Sequence, residues 1–355
     1  LYVTPELYSH CPRWALDWAY RREAILREVA TRRPDILCLQ EVQSDHFHGF
    51  LSGELQRQGY AAVYTKKTGE IFTDEGYCID GCATFYRRDR FTLVKKYEVE
   101  FNKAALSLAD ALLGSTEQQR KKALNRLLKD NVALIVVLEA LEPADPAAAA
   151  VGKRQLLCVA NTHIHANPEL QDVKLWQVHT LLKGLEKIAA SADIPMLVAG
   201  DFNTLSYKHW DPRIAPPDAF EQLTSPKPSA KKRAGADRGA CRLPLRSAYA
   251  DVQGAEPCYT SVDPAFPHCI DYVFYHGQGV LRPSRVLGVV DRKQQLPAAP
   301  WPSDHLCLVA AFDLTGAGPS PCKFGDRCRF FARGCCRNYH PQVPIEPLGE
   351  HNWYY

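Results

Sequence analysis

Five short segments, LQEV, NTHIH, GDFN, IDYVF and SDH, place carboxylates, amides and imidazoles where strand-like apolar runs end. Glu41 follows the run DILCLQ, so a sheet would deliver it to its rim, and a carboxylate there suits a hard divalent cation such as Mg²⁺, with Mn²⁺ as an alternative. Asp201 and Asn203 lie two apart in GDFN. On an extended segment both would face one side and offer a carboxylate and an amide to one phosphate. Asp304 and His305 add an acid and a base before the apolar run LCLVAAF. Asp271 precedes YVFYHG, where a carboxylate beside an imidazole would hold its tautomer and support its charged form. His163 in NTHIH supplies a second imidazole.

Hydrolysis of a phosphodiester needs an activated water, charge relief on the phosphoryl oxygens and help for the leaving alkoxide. This residue set can supply all three. Glu41 is expected to anchor the metal, and His305, oriented by Asp271, to act as general base or phosphate contact. Asp201 with Asn203 would position water and phosphate, and His163 would stabilise the pentavalent charge. Each residue alone has an ordinary explanation in solvent or core; the combination of five segments at strand ends carries the specificity. It points to metal-dependent phosphodiester chemistry without choosing a substrate.

The elements that must position these groups alternate between helix and strand. ILREVATRRP and LSGELQRQG carry helical patterns, DILCLQEV, AAVYTK, CATFYRR and ALIVVLEA read as strands, and DVKLWQVHTLLKGLEKIAAS is a helix between the strands QLLCVANTHIH and MLVAGDFNT. DYVFYHG and LCLVAAFDL complete the set. Chemistry at strand ends is characteristic of α/β enzymes, and the expected fold class is a layered α/β sandwich. No fixed-period repeat is present, which excludes solenoids and propellers.

With 355 residues and 46% hydrophobic content, the chain can bury one large core with a small appendage. The chain opens on Leu1 with no basic-then-apolar leader, as expected of a piece of a longer protein. No run approaches the about 18 apolar residues that a membrane span requires, so a soluble protein without membrane contact is expected. Nine of the thirteen cysteines are scattered singly, several in apolar runs, which fits a reducing interior: cytoplasm, with the nucleus as a second location. A formal charge of +3 is too small to announce a nucleic-acid partner by bulk electrostatics. Residues 224–240 (TSPKPSAKKRAGADRGA) read as a basic loop and 142–152 as an excursion between strands.

Residues 1–313 resemble the carbon catabolite repressor type of deadenylase, its plant-like members in particular, within the exonuclease/endonuclease/phosphatase superfamily. The resemblance is carried by LQEVQSDHF, DGCATFYRRDRF, YEVEFNKAA, LNRLLKDNVALIVVLEA, NTHIH, DVKLWQVHTLLKGLEKI, GDFN, IDYVF and SDH. It implies a two-layer β-sandwich flanked by helices, Mg²⁺-dependent catalysis and release of 5′-AMP from the poly(A) tail of mRNA, within a multi-subunit deadenylase complex and with no action on DNA expected. Asp130 and Asn131 in KDNV match a family motif and take a supporting role, with Asp304. Pro168 and Phe266 match the proline and aromatic between which relatives hold adenine, a sound way to grip single-stranded RNA. The resemblance also implies an Asn on a strand upstream of Leu1. The piece given does not contain it, so weak activity of this piece is expected. Two other classes stay open: a phosphodiesterase or phosphatase of the same superfamily acting on DNA or a small nucleotide, and a non-catalytic RNA-binding protein.

Cys322, Cys328, Cys336 and His340 stand at C-x5-C-x7-C-x3-H spacing, enough for a tetrahedral Zn²⁺ site, with adjacent Cys335 as the alternative to Cys336. The segment resembles a CCCH zinc finger. Arginines and lysine interleave with Phe324, Phe330, Phe331 and Tyr339, a mixture suited to phosphate attraction plus base stacking. The expected organisation is a catalytic domain over 1–314, a linker over 315–321, the finger over 322–341 and a tail over 342–355.

Overall fold

A computed structural model describes residues 7–69, 71–73, 76–111, 116–141, 155–191, 194–205, 223–224, 243, 245–262, 267–277, 279–289 and 295–315. The predicted finger, the linker beyond Thr315, Phe266, the 142–152 excursion and the basic loop beyond Thr224 lie outside the described residues.

The strands are β1 (Ile36–Gln43), β2 (Tyr60–Lys66), β3 (Ile71–Thr73), β4 (Gly76–Cys78), β5 (Asp80–Arg87), β6 (Phe91–Glu100), β7 (Val132–Ala140), β8 (Leu156–His163), β9 (Met196–Asp201), β10 (Arg246–Ser247), β11 (Ser261–Val262), β12 (Pro267–His268), β13 (Asp271–His276), β14 (Leu281–Val286) and β15 (Ala310–Leu314). The principal helices are α1 (Trp18–Arg32), α2 (Phe101–Ala111), α3 (Glu117–Leu127) and α4 (Gln171–Ser191). One sheet has the order β1-β5-β2 and the larger one β10-β13-β9-β8-β7-β6. In the larger sheet β8 and β9 run parallel, which obliges a crossover, and α4 is that crossover.

The two sheets face each other. Val132, Leu134, Val136 and Leu138 of β7 pack with Cys82 and Tyr86 of β5 between the sheets, while Ala133, Ile135 and Val137 turn to Val178, Leu181, Leu182 and Leu185 of α4. A strand buried on both faces reads as an unbroken apolar run, which is why ALIVVLEA shows no alternation. Leu26 and Val29 of α1, with Phe47, Leu51 and Leu55, cover the outer face of the smaller sheet over Ala83 and Phe85. The order is helix, sheet, sheet, helix, the expected sandwich.

Two boundaries differ from the sequence reading. The strand expected over LCLVAAFDL begins only at Ala310, because the backbone N–H groups before it are taken elsewhere: Leu306 donates to the Thr260 carbonyl and Val309 to the Tyr249 hydroxyl. β9 stops at Asp201, so GDFN is not one extended segment.

Candidate active site

The register of the larger sheet assembles half of the site. His163 of β8 stands opposite Asp201 of β9, and Asp201 stands opposite Asp271 of β13. Directly paired residues point to the same face, so three strand ends form one row, with His163 Nε2 3.6 Å from Asp201 Oδ2. The close approach of β8 and β9 requires Gly200: a Cβ there would come within 2.0 Å of the Thr162 carbonyl oxygen. His305 joins the row from the irregular segment before β15, its Nδ1 2.8 Å from Asp271 Oδ2. Thr260 fixes this corner, its hydroxyl accepting from the N–H groups of both Ile270 and Asp271 at 3.1 Å.

The smaller sheet supplies Glu41. The β1–β5 register breaks between Leu39 and Val42, and Glu41 sits in that bulge at φ +54, in the left-handed region. A bulge re-aims one side chain out of the pleat. Beside it, the Gln40 amide donates to Asn161 Oδ1 at 2.7 Å, and the fully buried Asn161 of β8 donates to the carbonyls of Leu39 (3.1 Å) and Ala83 (2.9 Å). One asparagine thus ties the two sheets together next to Glu41.

Charge states follow from these surroundings. Burial and the adjacent Asp271 carboxylate push Asp201 well above the usual carboxylate range. Burial pushes His163 down to about 4, leaving a neutral imidazole at ordinary pH. Burial also works against a charged His305, but the Asp271 carboxylate outweighs it and holds the imidazole well above its usual range. Glu41 is exposed by surface area yet ringed by protein. Burial opposes its ionisation, while the Lys67 and His305 cations near it favour the carboxylate.

Asp201, Asp271 and His305 bring their ligand atoms within 4.8 Å of one another, a group able to hold a metal ion. Two carboxylates forced together at one register, each poorly solvated, are a donor set that a cation would relieve. Glu41 is not one of those atoms; it faces the group from the other sheet.

The remaining predicted residues separate into several roles. Asn203 lies past the end of β9 at φ +47, its N–H donating to Asp201 Oδ1 (2.8 Å) and its amide to the Ile164 carbonyl (2.9 Å). It lies on irregular backbone beyond the strand, which corrects the extended geometry expected for GDFN. Asn131 is buried and donates to the His163 carbonyl at 3.1 Å, while Gln177 of α4 bridges Asn131 and the His165 N–H. Asp130 lies against Gly69, where a Cβ would meet its Oδ2 at 2.9 Å. Asp304 accepts from the Tyr8 hydroxyl at 2.8 Å. Pro168 is exposed on the turn that leads from the site into α4.

Several polar residues of the site were not singled out from the sequence: Lys67, Asp80, Asn161, Lys174, Gln177 and Arg21. Lys174 and Gln177 did leave a signal, since both lie on the apolar stripe of α4 beside Val173 and Val178 and are buried with it. Asn161 interrupts an apolar strand. Lys67 and Arg21 left none.

The family profile described as Endonuclease/Exonuclease/phosphatase family matches residues 8–305, which contain every group of the site. The chain belongs to that family. Among its relatives, carbon catabolite repressor protein 4 homolog 2 of Arabidopsis thaliana is 48% identical over 88% of this chain and 55% of its own length. The CCR4-Not complex 3′-5′-exoribonuclease subunit Ccr4 of Debaryomyces hansenii is 31% identical over 89% of this chain and 38% of its own. The chain therefore spans about half the length, or less, of the curated relatives it matches. Among solved structures, ANGEL2, described as a 2′,3′-cyclic phosphatase, superposes with a TM-score of 0.63 at 25% identity, covering 87% of this chain and 90% of that one.

Proposed function

We propose that this family member is a divalent-metal-dependent 3′-to-5′ exoribonuclease that shortens poly(A) tails and releases 5′-AMP, with Mg²⁺ as the ion and Mn²⁺ as a substitute. The observation that carries the chemistry is the row His163, Asp201, Asp271 with His305 attached, facing Glu41 across the two sheets. The choice of RNA is supported by the relative named as a 3′-5′-exoribonuclease. That relative's place in the CCR4-Not complex likewise supports an assembly partner for this chain.

Glu41, Asp201 and Asp271 would hold the cation, which when bound supplies Lewis-acid polarisation of a phosphoryl oxygen. Asp201, with Asn203 beside it, would position the attacking water and the phosphate. His305, kept cationic by Asp271, donates to a phosphoryl oxygen, which favours its role as phosphate contact over that of general base. His163 is neutral and supplies a hydrogen bond rather than a charge. Pro168, exposed beside the site, with Phe266, would stack the terminal adenine.

The test is digestion of 5′-labelled oligonucleotides. Stepwise loss from A20 RNA with Mg²⁺, sparing DNA and mixed-sequence RNA and absent in Glu41→Gln, is expected. Opening of adenosine 2′,3′-cyclic phosphate with A20 left intact would favour the chemistry named for ANGEL2 instead. For the tail, one Zn²⁺ per chain is expected by elemental analysis, lost in Cys328→Ser and His340→Ala; a metal-free wild type would remove the finger.

A further inference from the structure

We propose that Lys67, fixed by Asp80, makes a cationic contact to the substrate phosphodiester in the catalytic centre. The inference rests on the phosphodiesterase reading and adds a residue to it. Lys67 follows β2 and Asp80 opens β5, and the Lys67 N–H donates to the Asp80 carbonyl at 2.8 Å, so the ladder holds the two residues together at the same end of the smaller sheet as Glu41. The Lys67 ammonium lies 2.7 Å from Asp80 Oδ2. Among the described residues neither Asp80 oxygen has a well-aligned hydrogen bond, so the lysine's charge is what compensates this carboxylate.

The loop carrying Lys67 is pinned on its far side too. Asn102 donates to the Thr68 hydroxyl at 2.8 Å, and Gly69 lies close against Asp130, where a Cβ would meet Oδ2 at 2.9 Å and displace that side chain. Two segments that carry the family resemblance, FNKAA and KDNV, therefore meet the loop that carries Lys67. Gly81 adds a further constraint, since a Cβ there would meet the Thr65 carbonyl oxygen at 2.0 Å.

Among the described residues, besides His305, three lysine or arginine side chains act on the carboxylates of the site: Arg21, Lys174 and Lys67. Arg21 is buried and its Nε is spent on the Pro302 carbonyl at 2.7 Å. Lys174 is buried and donates to the Asn203 carbonyl at 2.6 Å. Lys67 is half-buried where Arg21 and Lys174 are buried, its side chain keeping 11% of its surface over an Asp80 that keeps 1%. A buried ion pair is seldom a gain in stability over apolar packing, and one placed beside Glu41 and His163 has a use there: an acid-rich centre that must admit an anion needs a fixed positive charge.

The test uses the double variant Lys67→Met/Asp80→Asn, which removes both charges without leaving either one buried alone, and Lys67→Arg, which keeps the cation. Thermal melts check folding, A20 binding is followed by anisotropy against salt, and turnover is measured on A20 and on bis(p-nitrophenyl) phosphate. Expected are a fall in kcat/KM of about 100-fold in the double variant and a binding slope shallower by about 0.7, the value for one lost phosphate contact on a single strand. Lys67→Arg should keep the wild-type slope. A folded double variant with unchanged slope overturns the proposal even where turnover drops, because a role in packing alone would not alter ion release. If the double variant does not fold, Lys67→Gln is judged by the same slope. Wild type that binds A20 with a Lys67-dependent slope but hydrolyses neither substrate would refute the phosphodiesterase reading and leave the contact standing.

Discussion

At the scale of single residues, Glu41 combines the chemical role proposed for it with backbone strain. Its φ of +54 is a conformation that glycine adopts at no steric penalty and other L-residues at roughly 1–2 kcal/mol. Glu41→Gly is expected to match or exceed wild-type thermal stability while losing metal-dependent turnover, and Glu41→Gln to lose turnover with little change in melting temperature. A glycine variant that melts well below wild type would mean the bulge depends on the side chain. Lys174 offers a second case. Burial lowers its ammonium to about 8, against about 10.4 for an unfolded lysine. Between those values the unfolded chain binds the proton and the folded chain does not, so this residue makes stability rise with pH across that window. Urea unfolding of wild type and Lys174→Met at pH 8 and pH 10 should show the wild type gaining on the variant at the higher pH. Cysteines and tyrosines titrate in both proteins and cancel in the difference.

At the scale of elements, Asn161 is where β8 meets the smaller sheet. Replacing it with alanine takes the Asn161 side chain away from the half-buried Gln40 amide and Leu39 carbonyl and from the buried Ala83 carbonyl. At about 1–3 kcal/mol for each orphaned group, partly relieved by relaxation, a loss of about 2–4 kcal/mol in denaturant unfolding is expected. Activity should fall further than stability explains, because Glu41 adjoins Gln40; proportionate losses would make Asn161 a packing residue only. The strands that deliver the site were readable because each is an apolar run that stops at a polar residue, as at Asp201 and His163. What was not readable depends on pairings between distant segments. Whether Asp201 meets Asp271 is a matter of register, whether Glu41 leaves the pleat is a matter of a bulge, and neither leaves a mark in local composition. GDFN misled for the same reason: two residues apart implies one face only while the strand continues, and here it ends at the first of them. The segment before β15 looked like strand because its residues are apolar, yet its donors serve Thr260 and Tyr249.

At the scale of the whole molecule, the site is a seam. Glu41 comes from one sheet, His163, Asp201 and Asp271 from the other, and His305 from the segment that follows β13 and β14 in the chain. A cation held by both sides would couple the sheets, and would also relieve Asp201 and Asp271 of their mutual repulsion. Stability should therefore depend on divalent metal. Binding to the folded state alone adds about 2.7 kcal/mol at 100 times Kd, which for a domain of this size is a rise of roughly 5 °C in melting temperature. Titrating Mg²⁺ or Mn²⁺ into EDTA-treated protein should raise the melting temperature progressively. Asp271→Asn should remove most of the rise, and Glu41→Gln should remove it too if the ion spans the seam. A rise that survives Glu41→Gln in full would place the cation on the larger sheet alone, and Glu41 would then act on the substrate side of the cleft rather than as a ligand.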